Sequence, residues 1–263
     1  MISQSSYDSL VKPRYIFQKT KTENHLKNKF IIIGSDTLFG KKNQESPLFI
    51  KSDYDSDILK LYRKLVFQNT NRNSQKRYFI KQWSTPIIVF IDKSLPNIIS
   101  KKFQEFYSQL NIPNLNISFT SDIEQANYFI KTTSKDVNSY DENFEFDTVE
   151  EKQNSIYTGA TYNLLNDYNN KFYGALLVIS IKNNSNYEKK IRQLKQLFYT
   201  SLSLLYITNK VPNESLLSKK YKNLNHIDEF DLTLLRIHYH TIYDQPIDKY
   251  TFEKLTRLYN SKE

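Results

Sequence analysis

The sequence predicts an α+β fold with a mixed sheet, one long central helix and a helical C-terminal part. Three observations predict it. Strand signals cluster between residues 77 and 181, and helical periodicity takes over from Tyr187 onward. Four glycines and seven prolines in 263 residues argue against a repeat solenoid, a collagen-like chain or a long flexible linker. The length suits one large domain or two small ones. The expected division is an N-terminal arm and helix over residues 1–65, packed on an α+β domain over residues 66–263.

The centre of the chain is Phe172-Tyr-Gly-Ala-Leu-Leu-Val-Ile-Ser-Ile181, an apolar run that reads as a strand covered on both faces. Asn183-Asn-Ser-Asn186 supplies turn and N-cap chemistry. A helix follows from about Tyr187 to Tyr206. Ile191, Leu194, Leu197, Phe198, Leu202 and Leu205 recur in it at intervals of three and four and make one apolar face.

Taken in order, residues 1–50 offer one strand candidate, Lys29–Gly34, within an otherwise polar, extended arm. Asp53-Tyr-Asp-Ser-Asp57 spaces carboxylates like the start of a calcium loop. Ile58 and Lys64 stand where that loop needs Gly and Glu. The stretch reads better as a helix start, with Ser56 or Asp55 capping a helix through Ile58, Leu61, Tyr62, Leu65 and Val66. Strands are expected over Arg77–Trp83 and Pro86–Ile91, with the single Trp as a packing anchor between them. A helix carrying Ile98, Ile99, Phe103, Phe106, Tyr107 and Leu110 on one side comes next. Then come a strand at Leu115–Phe119, a short helix at Ser121–Gln125 and a strand at Asn127–Thr132. Residues 134–156 form an acidic exposed loop, and Thr158–Thr161 an edge strand or turn. Two C-terminal helices, one starting near Asp228 and broken by Pro246, complete the chain.

The formal net charge is +9, which raises the question of nucleic acid or an anionic surface. Basic residues are spread along the chain among Asp and Glu, without a run of five or six, so nucleic acid is set aside as a partner. The absence of cysteine excludes disulfides, thiol catalysis and Cys-zinc sites. No apolar run approaches the roughly 20 residues that span a bilayer. Met1–Tyr7 lacks the apolar core of a signal peptide, and a mature domain expressed with an added Met would read the same.

Several motifs together resemble an uncharacterised bacterial domain family that is itself distantly similar to metzincin zinc peptidases. They are Trp83-Ser-Thr-Pro86 before an apolar strand, Asn116-Ile-Ser-Phe119, Ala126-Asn-Tyr-Phe-Ile130, Gln196-Leu-Phe-Tyr-Thr-Ser-Leu-Ser-Leu204 and Asp231-Leu-Thr-Leu-Leu-Arg-Ile-His-Tyr239. The likeness covers about residues 65–260. It implies a zincin-like mixed sheet around a long helix, with Trp83, Pro86, Leu202, Asp231, Leu235, Arg236 and Tyr239 in structural roles. The helix positions that would bind zinc and activate water fall on Gln196, Leu197 and Thr200. These side chains supply neither an imidazole pair nor a carboxylate base. The family's glycine is replaced by Ser203, where the helix is expected to run on.

Elsewhere, His238 and His240 lie two apart, which on a helix splits them across faces, and His25 and His226 stand alone. No nucleophile elbow, phosphate loop or dinucleotide fingerprint occurs. Asp228, Glu229 and Asp231 fit helix capping. Catalytic residues, metal ligands and cofactors are therefore expected to be none. The expected role is a non-catalytic zincin-like binding or scaffold domain with a protein partner, in the bacterial periplasm or envelope. The alternatives are a hydrolase with another site and a basic nucleic-acid-binding module.

Overall fold

The structure is a computed structural model. It describes residues 54–67, 78–137, 148–149, 152, 155–182 and 186–256 in full, and only the backbone at 17–18, 30–33, 36–40 and 257–260. Near the N-terminus, β1 (Phe17–Gln18), β2 (Phe30–Ile33) and β3 (Asp36–Gly40) form an antiparallel sheet of their own in the order β1-β3-β2. β2 matches the expected strand. β1 and β3 add two strands where an extended arm was expected.

Helix α1 (Ser56–Phe67) starts at Asp55, whose Oδ1 accepts from the Asp57 amide at 3.0 Å. Its buried face holds Leu59, Tyr62, Leu65, Val66 and Phe67. The other elements are β4 (Gln82–Trp83), β5 (Ile87–Ile91), α2 (Asn97–Tyr107), β6 (Ile117–Thr120) and β7 (Tyr128–Thr133). They continue with β8 (Ala160–Asn166), β9 (Lys171–Ser180), α3 (Tyr187–Ser203), α4 (Glu229–Arg236) and α5 (Lys249–Asn260). The architecture is α+β, and the short helix expected at Ser121–Gln125 is a 3₁₀ turn at Ile123–Gln125.

The main sheet runs β8-β9-β7-β5-β6, and β4 lies beside the first residues of β9. Its pairs are parallel except β8 with β9, where Tyr162 faces Leu177. Two expectations need correction here. The strand foreseen at Arg77–Trp83 contracts to Gln82–Trp83, with Phe79 in a lone bridge to Asp248. β9 offers that edge only at Lys171 and Phe172, because β7 occupies it from Ala175 onward. Conversely, the edge strand foreseen at Thr158–Thr161 extends to Asn166.

Strand alternation sends Ile87, Val89, Tyr128, Ile130, Ala175, Leu177 and Ile179 to one face, all buried. The opposite face is open at Leu176 and Tyr173, so β9 is not covered on both sides as its continuous apolar run suggested. Helices α2 and α3 cover the buried face. Phe198 of α3 sits where they meet the sheet, with ring centroids 4.5 Å from Tyr107, 5.2 Å from Phe103 and 4.7 Å from Tyr128. Such aromatic pairs add about 0.5–1.5 kcal/mol each beyond area burial. Ile98, expected on the apolar side of α2, is 51% exposed, because the face that packs is Ile99, Phe103, Phe106 and Tyr107.

After α4 the chain makes a π turn over Ile237–Thr241, short of Pro246. α5 then packs on α1, with Phe252 against Tyr62 at 5.4 Å between ring centroids and Arg63 paired with Glu253.

Candidate functional site

The side chain of Asn186 starts α3 by accepting from the Lys189 amide at 2.9 Å. The helix runs through Ser203, as expected, and ends at Leu204 in the left-handed conformation (φ 52°), with its amide bonded to Thr200 O at 2.7 Å. A glycine would take that conformation without the penalty of roughly 1–2 kcal/mol that a Cβ brings. Ile191, Leu194, Leu197, Phe198, Leu202 and Leu205 are all buried, as their periodicity predicts. From Lys190 to Ser203 the rest of α3 is buried as well, apart from Arg192, and its polar residues act as hooks for the surrounding loops.

Gln193 Nε2 donates to Thr158 O at 2.7 Å and to Ile156 O at 3.3 Å, which pins the approach to β8. Gln196 Nε2 donates to Leu216 O at 2.9 Å and Ser218 O at 2.8 Å, while its Oε1 accepts from Arg192 Nε at 3.2 Å. Thr200 donates to Leu197 O at 2.9 Å and lies beside the Tyr162 side chain of β8. Leu197 is fully buried. Each of the three positions matched to a zinc motif is thus occupied by internal packing or hydrogen bonding. Among the described residues no group of three His, Cys, Asp or Glu converges as a metal site would.

The polar side of α3 is thus covered by the 156–158 segment through Gln193 and by the 216–218 segment through Gln196. Tyr157, Tyr162 and Tyr206 are half-buried. Burial pushes the phenols of Tyr157 and Tyr162 upward, and the neighbouring phenols oppose ionisation further.

The expected structural residues divide. Trp83 is buried, with its ring 5.9 Å from Phe172 and 6.1 Å from Tyr128, and Nε1 donating to Ser201 O at 3.4 Å. Pro86 is exposed, and its carbonyl accepts from Asn127 Nδ2 at 2.8 Å. Leu202 and Leu235 are buried, and Leu202 O accepts from the buried Tyr239 hydroxyl. Arg236 pairs with Glu229 at the surface.

Asp228 caps α4, accepting from the Phe230 amide at 2.9 Å. Asp231, grouped with it in the sequence reading, has a different task. Its carboxyl is buried and accepts from Ser215 Oγ at 2.5 Å and the Leu216 amide at 2.7 Å. Burial pushes it up to about 7, against the pull of those two donors. Of the histidines, His226 and His240 are exposed and His238 is fully buried, while His25 lies outside the described residues.

Sequence reasoning missed a second polar cluster at the π turn. Gln82 Nε2 donates to His238 O at 2.5 Å and to Ile242 O at 3.3 Å. Gln82 Oε1 accepts from the Asp244 amide at 3.0 Å and from Lys171 Nζ at 3.1 Å. Lys171 also pairs with Asp244 at 2.8 Å. The only sequence signals were a Gln and a Lys beside strands, which carry no such specificity.

No protein-family model matches this chain, and no curated protein sequence matches it.

Proposed function

We propose that this is a non-catalytic, zincin-like domain that works by binding. The mixed sheet, the long helix following its central strand and the helical C-terminal part support the zincin-like reading. The observation that carries the loss of catalysis is Gln196. Both of its amide groups are committed inside the fold, to Leu216 O, Ser218 O and Arg192 Nε, at a position where the resemblance implies a metal ligand. A side chain so engaged has neither the chemistry nor the freedom to hold a metal.

The outer edge of β8 is the surface best suited to a protein partner. Among the described residues β8 pairs only with β9, and Asn163, Leu165 and Asn166 are exposed along it. An unpaired strand edge accepts an extended segment through main-chain hydrogen bonds.

Elemental analysis of the purified protein tests the reading of the site. Zinc well below one equivalent is expected, with no peptide hydrolysis above a buffer control. One tightly held zinc per chain would overturn it.

A further inference from the structure

Three lysines donate to the side-chain carboxamide of another described residue. Lys81 Nζ donates to Asn166 Oδ1 at 2.9 Å, at the surface. Lys171 Nζ donates to Gln82 Oε1 at 3.1 Å, but it also pairs with the Asp244 carboxylate at 2.8 Å, which holds its charge. Lys195 differs from both. It is 2% exposed, and its Nζ donates to Asn223 Oδ1 at 3.2 Å and to Leu224 O at 2.7 Å, both neutral acceptors. The Phe106 ring of α2 covers the amine, with its centroid 4.3 Å from Nζ. Burial lowers the pKa of Lys195 to about 8, with the charge of Glu188 pulling upward and that of Lys102 downward. Roughly one side chain in ten is then a neutral amine at pH 7.

The other side of the same carboxamide meets a carboxylate. Asn223 holds the left-handed conformation (φ 54°), which Asn adopts more readily than most residues, and its Nδ2 donates to Glu188 Oε2 at 2.9 Å. Glu188 and Lys195 lie seven residues apart on α3, two turns along one face, so the helix presents both to Asn223. Lys102 donates to Glu188 Oε1 at 2.9 Å and holds that carboxyl below the usual carboxylate range, so it is ionised at neutral pH. A buried amine, a carboxamide and a carboxylate therefore stand in one hydrogen-bonded row.

We infer that Lys195 and Asn223 join in an intramolecular isopeptide bond, with the Glu188 carboxylate as the base. The inference does not depend on the reading of the metal-site positions. The neutral Lys195 amine attacks Cγ of Asn223. The proton shed by Nζ passes through Glu188 to Nδ2, the Cγ–Nδ2 bond breaks, and one ammonia leaves. The new Nζ–Cγ amide remains, and the step consumes no other reactant. Holding the two groups in contact makes the aminolysis intramolecular, which removes the entropic cost of bringing them together. Glu188 is exposed, so ammonia has a route to water while the amine stays dry. The bond would staple α3 to the segment that carries Asn223.

The test is intact-mass spectrometry of the full folded chain after incubation at a pH of about 8, where the Lys195 amine is half neutral. The chain should be lighter than its sequence mass by one ammonia. Trypsin should then release a branched peptide that joins residues 193–210 to residues 223–236, because an acylated Lys195 is no longer a cleavage site. Lys195→Met and Asn223→Ala should each keep the full mass, and Glu188→Gln should slow the loss by roughly a hundredfold. The wild-type mass and the branched peptide decide the matter whether or not the variants fold. Three results would each overturn the inference. They are full mass in the wild type, ammonia loss without the branched peptide, and the same loss in Lys195→Met. The last two would point to succinimide closure at Asn223 instead. An unchanged rate in Glu188→Gln would remove the carboxylate from the reaction.

Discussion

The Tyr62 hydroxyl lies 2.7 Å from Nδ1 of His238, a contact across 176 residues that joins α1 to the π turn. The other ring nitrogen, Nε2, lies 3.0 Å from Lys81 O. A carbonyl can only accept, so Nε2 carries the proton and Nδ1 accepts from Tyr62. The imidazole is neutral and fully buried, and burial drives its pKa down to about 3. The ring is a structural joint between α1, β4 and the C-terminal part.

Protonation of that joint should unfold the protein in acid. The folded pKa lies below the unfolded value near 6.5, so the contribution is complete above pH 6.5 and is lost as pH falls through 3. Its full size is on the order of 5 kcal/mol. Urea titrations between pH 6 and pH 4 should show His238→Gln gaining on wild type as pH falls, from a lower stability at pH 7. Tyr62→Phe leaves Nδ1 without a donor in the core and should cost about 1–3 kcal/mol at pH 7.

Asp231 has the opposite sign. Its folded pKa, about 7, is above the usual 3.8, so its contribution is complete below 3.8 and is lost as pH rises through 7. Wild type should therefore lose stability between pH 6.5 and pH 8, where His238 no longer changes charge. Between pH 4 and pH 6.5 the two slopes oppose each other and stability should be nearly flat. In thermal melts, Asp231→Asn should remove the loss above pH 6.5. An unchanged slope in that variant would mean that another group carries it.

These joints explain why the sequence was only partly legible. The sheet, α2, α3 and the C-terminal helices follow from periodicity, because apolar residues at fixed spacing have few places to go. The burial of the polar side of α3 does not follow from periodicity. Gln193, Gln196 and Thr200 lie off the periodic apolar stripe, and they are buried only because the loops they hold fold back over them. The open face of β9 was misread for a related reason. Leu176 and Val178 have the composition of a buried strand, but the helices pack on the other face. Tertiary contacts of neutral amides leave no mark on local pattern, and they account for most of the candidate site.

Gln196→Leu tests the hook directly. Losing the donor to Leu216 O and Ser218 O should cost roughly 1–3 kcal/mol. The larger effect should be local. Trypsin cleavage after Lys219 or Lys220 should speed up under native conditions by more than the loss of global stability accounts for, because the loop opens without the rest. Thr200→Val keeps the loop hook and should leave that cleavage rate near wild type.

Leu197 gives the last prediction. It is fully buried in the middle of α3, between the hooks at Gln196 and Thr200. Leu197→Ala should leave a cavity and lower stability by roughly 2–5 kcal/mol, read as a lower urea midpoint with an unchanged slope. The triple variant Gln196→His, Leu197→Glu and Thr200→His restores the residue types of a zinc peptidase helix. It should lose more stability than Leu197→Ala, because it places a carboxylate in an apolar site and removes the donor to the 216–218 carbonyls. It should bind no stoichiometric zinc and cleave no peptide. The two new imidazoles lack a third convergent ligand among the described residues, and zinc hydrolysis also needs an open position for water. A stable triple variant that holds one zinc per chain would show that these positions are preformed for metal and that Gln196 and Thr200 occupy them only by default.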